Sequence, residues 1–302
     1  MTAQPRGRVP VLINATAGQG CPDDRPADIE RKFREHGIEA RVTLAQSGEQ
    51  LLAAAKQAVS GGASMVVAGG GDGTVSAVAS RLADTGATLG VLPMGTLNHF
   101  AKDLGIPLQL DGAIDVIASG RELAVDMGEV NGRLFINNSS LGLYPDIVLD
   151  RERQRQRLGR SKWAALLAAS VHAAQRYPVL SLHLEVDGRP LERRSAFVFI
   201  GNNAYRMEGF DIGERHGLTG GELSLYVTQR TGRFGLLRLA LRALTGRLQQ
   251  ANDFDMLAAK ELTVRTQQRR MRVATDGEVT MMQTPLQYRI RPGVLRVAVP
   301  AA

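Results

Sequence analysis

A single cysteine, Cys21, in 302 residues rules out an internal disulfide and fits a reducing compartment. No run of 18 apolar residues occurs, and residues 1–10 lack the apolar core of a signal peptide. The chain is therefore expected to be soluble or held at a membrane surface. Lysine is scarce, with five among the 37 basic residues, so arginine supplies nearly all the positive charge. Guanidinium forks pair bidentately with phosphate, but genomic base composition produces the same bias, so only clustering is informative. Aromatics are sparse at 5%. The histidines at 36, 99, 172, 183 and 216 show no metal-ligand spacing, and no Cys/His zinc site can form. No Gly-Lys dipeptide exists, which removes the pattern G-x-x-x-x-G-K-[ST]. The dinucleotide fingerprint G-x-G-x-x-G also fails, because Thr74 stands three places after Gly71. The net charge of +7 comes with no recognised nucleic-acid motif, so no nucleic acid is expected as a partner.

What is present concentrates in residues 65–76, Met-Val-Val-Ala-Gly-Gly-Gly-Asp-Gly-Thr-Val-Ser. Met65 to Ala68 reads as a buried strand ending in Gly69, Gly70 and Gly71, with a helical pattern at Val75, Val78, Ala79 and Leu82. Glycine lacks a Cβ, so successive N–H groups can converge on one anion, and a helix start behind them adds unpaired N–H groups and a positive dipole end. Asp72, Gly73 and Thr74 exceed what a plain turn requires: Thr74 can cap the helix or touch a phosphate, and Asp72 can hold Mg²⁺ or orient water. The segment is read as a phosphate loop. Gly71 is expected to need a conformation or a close approach that a Cβ forbids.

Strand-like runs at 9–14, 38–44, 64–68 and 88–92 alternate with helical patterns at about 26–36, 48–60 and 75–84. That order predicts an α/β N-terminal domain with a parallel sheet, whose strand C-terminal ends gather the loops after Asn14, Ala68 and Leu92. From about residue 121 the texture changes to hairpins, with tight turns at Asn131-Gly132, Asp187-Gly188 and Asp276-Gly277. Strand-like runs at 179–186, 195–201, 221–228, 261–266, 270–275 and 286–299 predict a β-rich, sandwich-like C-terminal domain. Helical patterns near 159–176 and 233–248 interrupt it. At 302 residues two domains are expected, at 8–130 and 131–302.

Gly-Gly-Gly-Asp-Gly-Thr resembles the signature of the diacylglycerol kinase-like lipid kinases, which include sphingosine and ceramide kinases. Asn14-Ala15-Thr16-Ala17-Gly18-Gln19-Gly20 looks like the family's first nucleotide loop, with Ala15 where proline is usual. Thr43 matches a threonine near the nucleotide, and Leu92 to Ala101 is similar to L-P-x-G-T-x-N-D-F-A. Asp276-Gly277-Glu278 matches the D-G-E element that carries the proposed base. The resemblance runs from about residue 8 to about 299. It implies an NAD kinase/diacylglycerol kinase-like fold and an ATP- and Mg²⁺-dependent transfer of the γ-phosphoryl group to a lipid hydroxyl, in a nucleotide-binding catalytic domain followed by a lipid-substrate domain. Asn14, Ala17, Gly18, Gly20, Thr43, Gly69, Gly70, Gly71, Asp72, Gly73, Thr74, Thr96 and Asn98 would position ATP. Glu278 or Asp276 would take the hydroxyl proton, with Asp72 at the metal and phosphates.

Some positions depart from the family pattern. Ser76 and Ala77 replace Asn-Glu, and His99 replaces the aspartate of N-D-F. Many bacterial members carry L-x-D-G-x-L around a structural Mg²⁺. Here Gly220 takes the aspartate position, leaving the neighbourhood of Gly217 and Glu222 as a doubtful structural metal site. Two rivals remain: an NAD kinase-like enzyme, and a catalytically inactive, nucleotide-gated lipid-binding protein. A T-G-S-T-A-Y-like segment usual in NAD kinases is absent. A basic run from Arg151 to Lys162 and an amphipathic stripe over Phe234–Leu248 fit either solvated helix faces or peripheral attachment to an anionic membrane. The expected location is the cytoplasm, with the inner membrane face as the attachment surface. A homodimer stays open, as does the identity of the lipid.

Overall fold

The computed structural model describes residues 8–15, 25–142, 180–195, 197–206, 214–215, 217–228 and 254–301. The chain divides into two compact units, Met1–Met127 with Gly217–Thr219 and Arg291–Ala302, and Gly128–His216 with Gly220–Ile290. The helical patterns near 159–176 and 233–248, and with them the basic run at 151–162, lie outside the described residues.

The first unit alternates strands and helices: β1 (Val9–Asn14), α1 (Arg25–Glu35), β2 (Ala40–Ala45), α2 (Gly48–Ser60), β3 (Met65–Gly70), α3 (Asp72–Leu82), β4 (Thr88–Pro93), α4 (His99–Asp103) and α5 (Leu110–Ser119). Strand β4 is buried along its whole length, as a strand covered on both faces must be. The edge strand β2 instead exposes Arg41 and Thr43. Apolar residues at helical spacing bury one face of each main helix: Ile29 and Phe33 on α1, Leu51 and Ala55 on α2, Val75, Val78 and Leu82 on α3. The Ser47 side chain caps α2 by accepting from the Gln50 N–H.

The strands are parallel in the order β2-β1-β3-β4. The register sets Leu12 beside Thr43, Ile13 beside Gly69, and Gly70 beside Pro93. The loops after Asn14, Gly70 and Pro93 therefore leave one edge of the sheet. One expectation needs correcting. Strand β3 runs on through Gly69 and Gly70, and α3 starts at Asp72, not at Val75, so Gly71 alone joins strand to helix.

The second unit is all strand among the described residues. Strand β5 (Arg121–Val130) crosses from the first unit and forms a hairpin with β6 (Arg133–Phe135). Then follow β7 (Asn138–Gly142), β8 (Leu180–Val186), β9 (Arg189–Ser195), β10 (Phe197–Asn202), β11 (Tyr205–Arg206), β12 (Glu214–Arg215), β13 (Leu223–Thr228), β14 (Phe254–Ala259), β15 (Glu261–Arg265), β16 (Arg270–Thr275), β17 (Glu278–Gln283) and β18 (Leu286–Val299). One antiparallel sheet has the order β14-β13-β10-β7-β16-β17, and β9, β8, β15 and the start of β18 pair in a second. Leu141, Val198 and Val273 from the first share a core with Leu184, Val264 and Tyr288 from the second, which is the packing of a sandwich.

The three Asx-Gly turns take the expected left-handed pairs, with φ of 46° and 82° at Asn131 and Gly132, 46° and 78° at Asp187 and Gly188, and 48° and 84° at Asp276 and Gly277. The run at 286–299 does more than its periodicity suggested. Its first residues pair with β15, while Arg296 and Val297 pair in parallel with β4 of the first unit. Gly293, at φ 62°, lies within the strand between these two pairings, and its N–H donates to the Asp126 carboxylate at 2.9 Å.

Candidate functional site

The phosphate-loop candidate is built from strand ends packed more closely than side chains allow. A Cβ on Gly70 would lie 2.6 Å from Thr74 Oγ1 and 2.7 Å from Thr74 Cβ. A Cβ on Gly69 would lie 2.9 Å from the Ile13 side chain, and one on Gly95 would overlap the Gly71 Cα. The constraint expected at Gly71 is thus found at its neighbours. Gly71 itself is extended at φ −85°, and a Cβ there would stand 3.4 Å from Gly95, an ordinary contact.

Backbone approach of Gly71 to Gly95 brings the start of α3 beside the loop that leaves β4. Met94 N–H donates to the Gly70 carbonyl at 3.0 Å. Asn98, at φ 50° and buried, turns its side chain back onto Gly95: Oδ1 accepts from the Gly95 N–H at 3.0 Å, and Nδ2 donates to the Gly95 carbonyl at 2.9 Å. Asp72 Oδ1 accepts from the Phe100 N–H at 3.2 Å, tying α3 to the start of α4. Both side chains therefore shape the loop. The N-cap of α3 is a glycine with no side-chain hydrogen bond, which leaves first-turn N–H groups without the cap that serine or aspartate would supply.

Around this loop Asn14 ends β1 half-buried, Gly73 and Thr96 are exposed, and Thr74 is buried under Gly70. Thr43 is exposed on β2, two residues before that strand ends. His99, the first residue of α4, is also exposed. Ala17, Gly18 and Gly20 lie outside the described residues, as does Cys21. The structure thus brings Gly69–Thr74 and Gly95–Asn98 into contact, with Asn14 at the end of the adjoining strand. Gly95 could be found in the sequence only as one more glycine in L-P-M-G-T; that it faces another glycine is a tertiary fact.

The D-G-E element lies in the second unit, and its two carboxylates have different surroundings. The Asp276 carboxylate accepts three backbone N–H groups, from Ile136 at 2.8 Å, Asn137 at 2.8 Å and Asn138 at 3.1 Å, and its own N–H donates to the Asn138 carbonyl at 2.9 Å. The opposite side of that segment is held as well. The Ile136 carbonyl accepts from Arg215 Nη1 at 2.6 Å and from Asn202 Nδ2 at 2.9 Å, while Arg215 Nη2 reaches Asn137 Oδ1 at 2.9 Å. Glu278 is instead the first residue of β17, with a side chain 65% exposed and Oε2 at 2.6 Å from Arg133 Nη2. Arg133, Arg215 and Asn202 escaped notice in the sequence, because their partners lie far along the chain.

The residues at the L-x-D-G-x-L position do not fit a structural cation. The Gly220 N–H donates to Asn203 Oδ1 at 2.7 Å, and a Cβ at 220 would lie 2.7 Å from that same oxygen. Asn203 N–H donates to the Glu222 carbonyl at 3.0 Å, and the Ser224 hydroxyl donates to the Asn203 carbonyl at 2.5 Å. Buried Asn203, at φ 66°, therefore closes the segment with protein hydrogen bonds. No cluster of three or more His, Cys, Asp or Glu suited to a metal occurs among the described residues. No helix among the described residues is long and apolar enough to cross a membrane.

Comparison with known proteins gives these geometries a family. Residues 8–130 match the diacylglycerol kinase catalytic domain, and residues 146–299 match the YegS C-terminal NAD kinase beta sandwich-like domain. The chain is 28% identical over 280 residues to a diacylglycerol kinase of Bacillus subtilis (strain 168), covering 90% of this chain and 89% of that protein. It is 35% identical over 136 residues to a Yersinia pestis (strain Pestoides F) protein named Probable lipid kinase YegS-like, covering 44% of this chain and 45% of that protein. The fold is shared with a diacylglycerol kinase crystal structure from Bacillus anthracis str. Sterne, at a TM-score of 0.71 and 19% identity over 99% of this chain and 98% of that one. With one family model on its N-terminal part and a second on its C-terminal half, the chain belongs to the diacylglycerol kinase-like lipid kinases.

Proposed function

We propose that this lipid kinase transfers the γ-phosphoryl group of ATP to the hydroxyl of a diacylglycerol-like or ceramide- or sphingoid-like lipid. The observation that carries the reading is the meeting of Gly69–Thr74 with Gly95–Asn98 at the C-terminal edge of the parallel sheet, where α3 begins on a glycine without a capping side chain. Such a helix start favours phosphate through its N–H groups and its dipole. Asn14, Thr43 and Thr96, with Ala17, Gly18 and Gly20 of the first loop, complete the proposed nucleotide site. Mg²⁺ would arrive with the phosphates, neutralising their charge, and Asp72 is its proposed carboxylate.

In this reading Glu278 takes the lipid hydroxyl proton as the oxygen attacks the γ-phosphorus. The bond from that phosphorus to the bridging oxygen then breaks, and ADP leaves with the electron pair. The different surroundings of the two carboxylates support Glu278 over Asp276: the first is exposed, and the second is occupied by three N–H groups. A cytoplasmic location with peripheral attachment to the inner membrane face belongs to the same proposal. The segments expected to make that attachment are outside the described residues.

The deciding experiment incubates the purified protein with ATP, Mg²⁺ and extracted lipids, and identifies phosphorylated products by mass spectrometry. A phospholipid product formed from one lipid class supports the reading and names the substrate. Phosphorylation of NAD in the same assay, or ATP binding without any product, overturns it.

A further inference from the structure

The sequence motif ends at Glu278, but the geometry points to a residue 145 positions away. We infer that Arg133 is a positioning residue for Glu278, holding Oε2 so that Oε1 is presented to the lipid hydroxyl; this rests on Glu278 being the base.

A glutamate whose side chain is 65% exposed has little packing to choose among its rotamers. A proton acceptor must nevertheless sit within hydrogen-bond reach of the hydroxyl it serves. Arg133 supplies the missing restraint. Its Nη2 lies 2.6 Å from Glu278 Oε2, and at 35% exposure it is the less exposed partner.

The two backbones that carry this pair are themselves tied together. Arg133 closes the Asn131-Gly132 turn between β5 and β6, and Asn131 Nδ2 donates to the Gln283 carbonyl at 3.0 Å, at the far end of the strand that Glu278 begins. Asn131 Oδ1 accepts from the Gln287 N–H at 2.8 Å, and the Asn131 N–H donates to the Gln287 carbonyl at 3.0 Å. At the other end Asp276, two residues before Glu278, grips the N–H groups of 136–138, just after β6. Both hairpins are thus fixed relative to each other at two points. The ion pair then has only side chains left to order, so it fixes where the carboxylate sits instead of holding the hairpins together.

A cycle of four proteins tests this: the parent, Arg133→Ala, Glu278→Gln and the double variant, with Arg133→Lys as the conservative replacement. Initial rates are measured on detergent-dispersed lipid at saturating ATP, and thermal unfolding is followed alongside. Arg133→Ala is expected to lower kcat about 10- to 100-fold, the scale of an ångström-size misplacement. KM for ATP and the unfolding midpoint should not move. Arg133→Lys should recover a large part of the loss, because the contact to be replaced is a single N–H donor. In the Glu278→Gln background, removing Arg133 should change kcat no further. Parental kcat in Arg133→Ala overturns the inference while leaving the base assignment standing. Losses that multiply in the double variant overturn it too, because Arg133 would then act on substrate or phosphate directly. Parental activity in Glu278→Gln instead removes the base assignment itself.

Discussion

Gly70→Ala is the smallest change that should dismantle the nucleotide loop. The added carbon would stand 2.6 Å from Thr74 Oγ1, 2.7 Å from Thr74 Cβ and 2.8 Å from Thr74 Cγ2. Turning the Thr74 side chain about χ1 relieves only the first and last of these, because Cβ does not move with that rotation. Carbon atoms rest at about 3.5–4.0 Å, so the start of α3 must retreat from the end of β3 by roughly 1 Å. Neither element can yield cheaply. Gly70 is paired with Pro93 and its carbonyl holds the Met94 N–H, while Thr74 is buried in the first turn of α3. Overpacking of this kind costs about 1–3 kcal/mol of stability, and a 1 Å shift of a positioning group costs on the order of 10² in rate. The assay is a thermal unfolding scan of the variant together with ATP titration and turnover. Gly73→Ala is the control, since a Cβ there meets nothing within 4 Å. Gly73 is the second residue of α3, where alanine adopts helical backbone angles without strain, so that variant should unfold no earlier than the parent. Parental unfolding and parental ATP affinity in Gly70→Ala would refute the reasoning.

Four further outcomes follow from the described contacts. Glu278→Gln should lower kcat by about 10²–10⁴-fold with ATP binding and unfolding unchanged. Asp276→Asn should instead lower the unfolding midpoint, because an amide NH₂ cannot accept where a carboxylate oxygen did and an unsatisfied N–H costs about 1–3 kcal/mol; lost activity at an unchanged midpoint would contradict that division of labour. Asn203→Ala should destabilise the second unit, and chelator or added Mg²⁺ should leave the parent's unfolding midpoint where it is; a midpoint that falls with chelator would restore a structural cation. His36 is held above the ordinary histidine range by the Lys32 carbonyl at 2.8 Å on Nδ1, and further by Asp115 at 2.8 Å on Nε2. Its raised folded value makes its stabilising contribution complete below the unfolded histidine value, about 6.5, and lost as pH rises through the folded value, so unfolding scans from pH 6 to 8 should show a decline that His36→Gln flattens.

Local chemistry made much of this protein legible before any coordinates. The βαβ alternation, the strand–glycine–helix unit at 65–76 and the three Asx-Gly turns depend on periodicity and on φ > 0 at particular residues, and neither needs a distant partner. The D-G-E triplet and L-P-M-G-T were visible for the same reason. Their different surroundings were not. Asp276 accepts from N–H groups 138 to 140 residues away, and Glu278 is paired with an arginine 145 residues away. Gly95 matters because it lies against Gly71, and Gly220 is covered by Asn203. The last strand shows the same limit: alternation predicted a strand at 286–299, but its return to β4 at Arg296 and Val297 depends on a sheet already assembled from the first half of the chain. Sequence alone indicated the βαβ order of the first unit, several strands of the second and the family, because propensity and motif spacing act over a few residues, but it missed β9, β14 and β17. Tertiary structure decided which glycine is constrained, which carboxylate is exposed and which is held by backbone N–H groups, and what closes the site of the missing aspartate, because each depends on groups that only folding brings within hydrogen-bond or van der Waals distance.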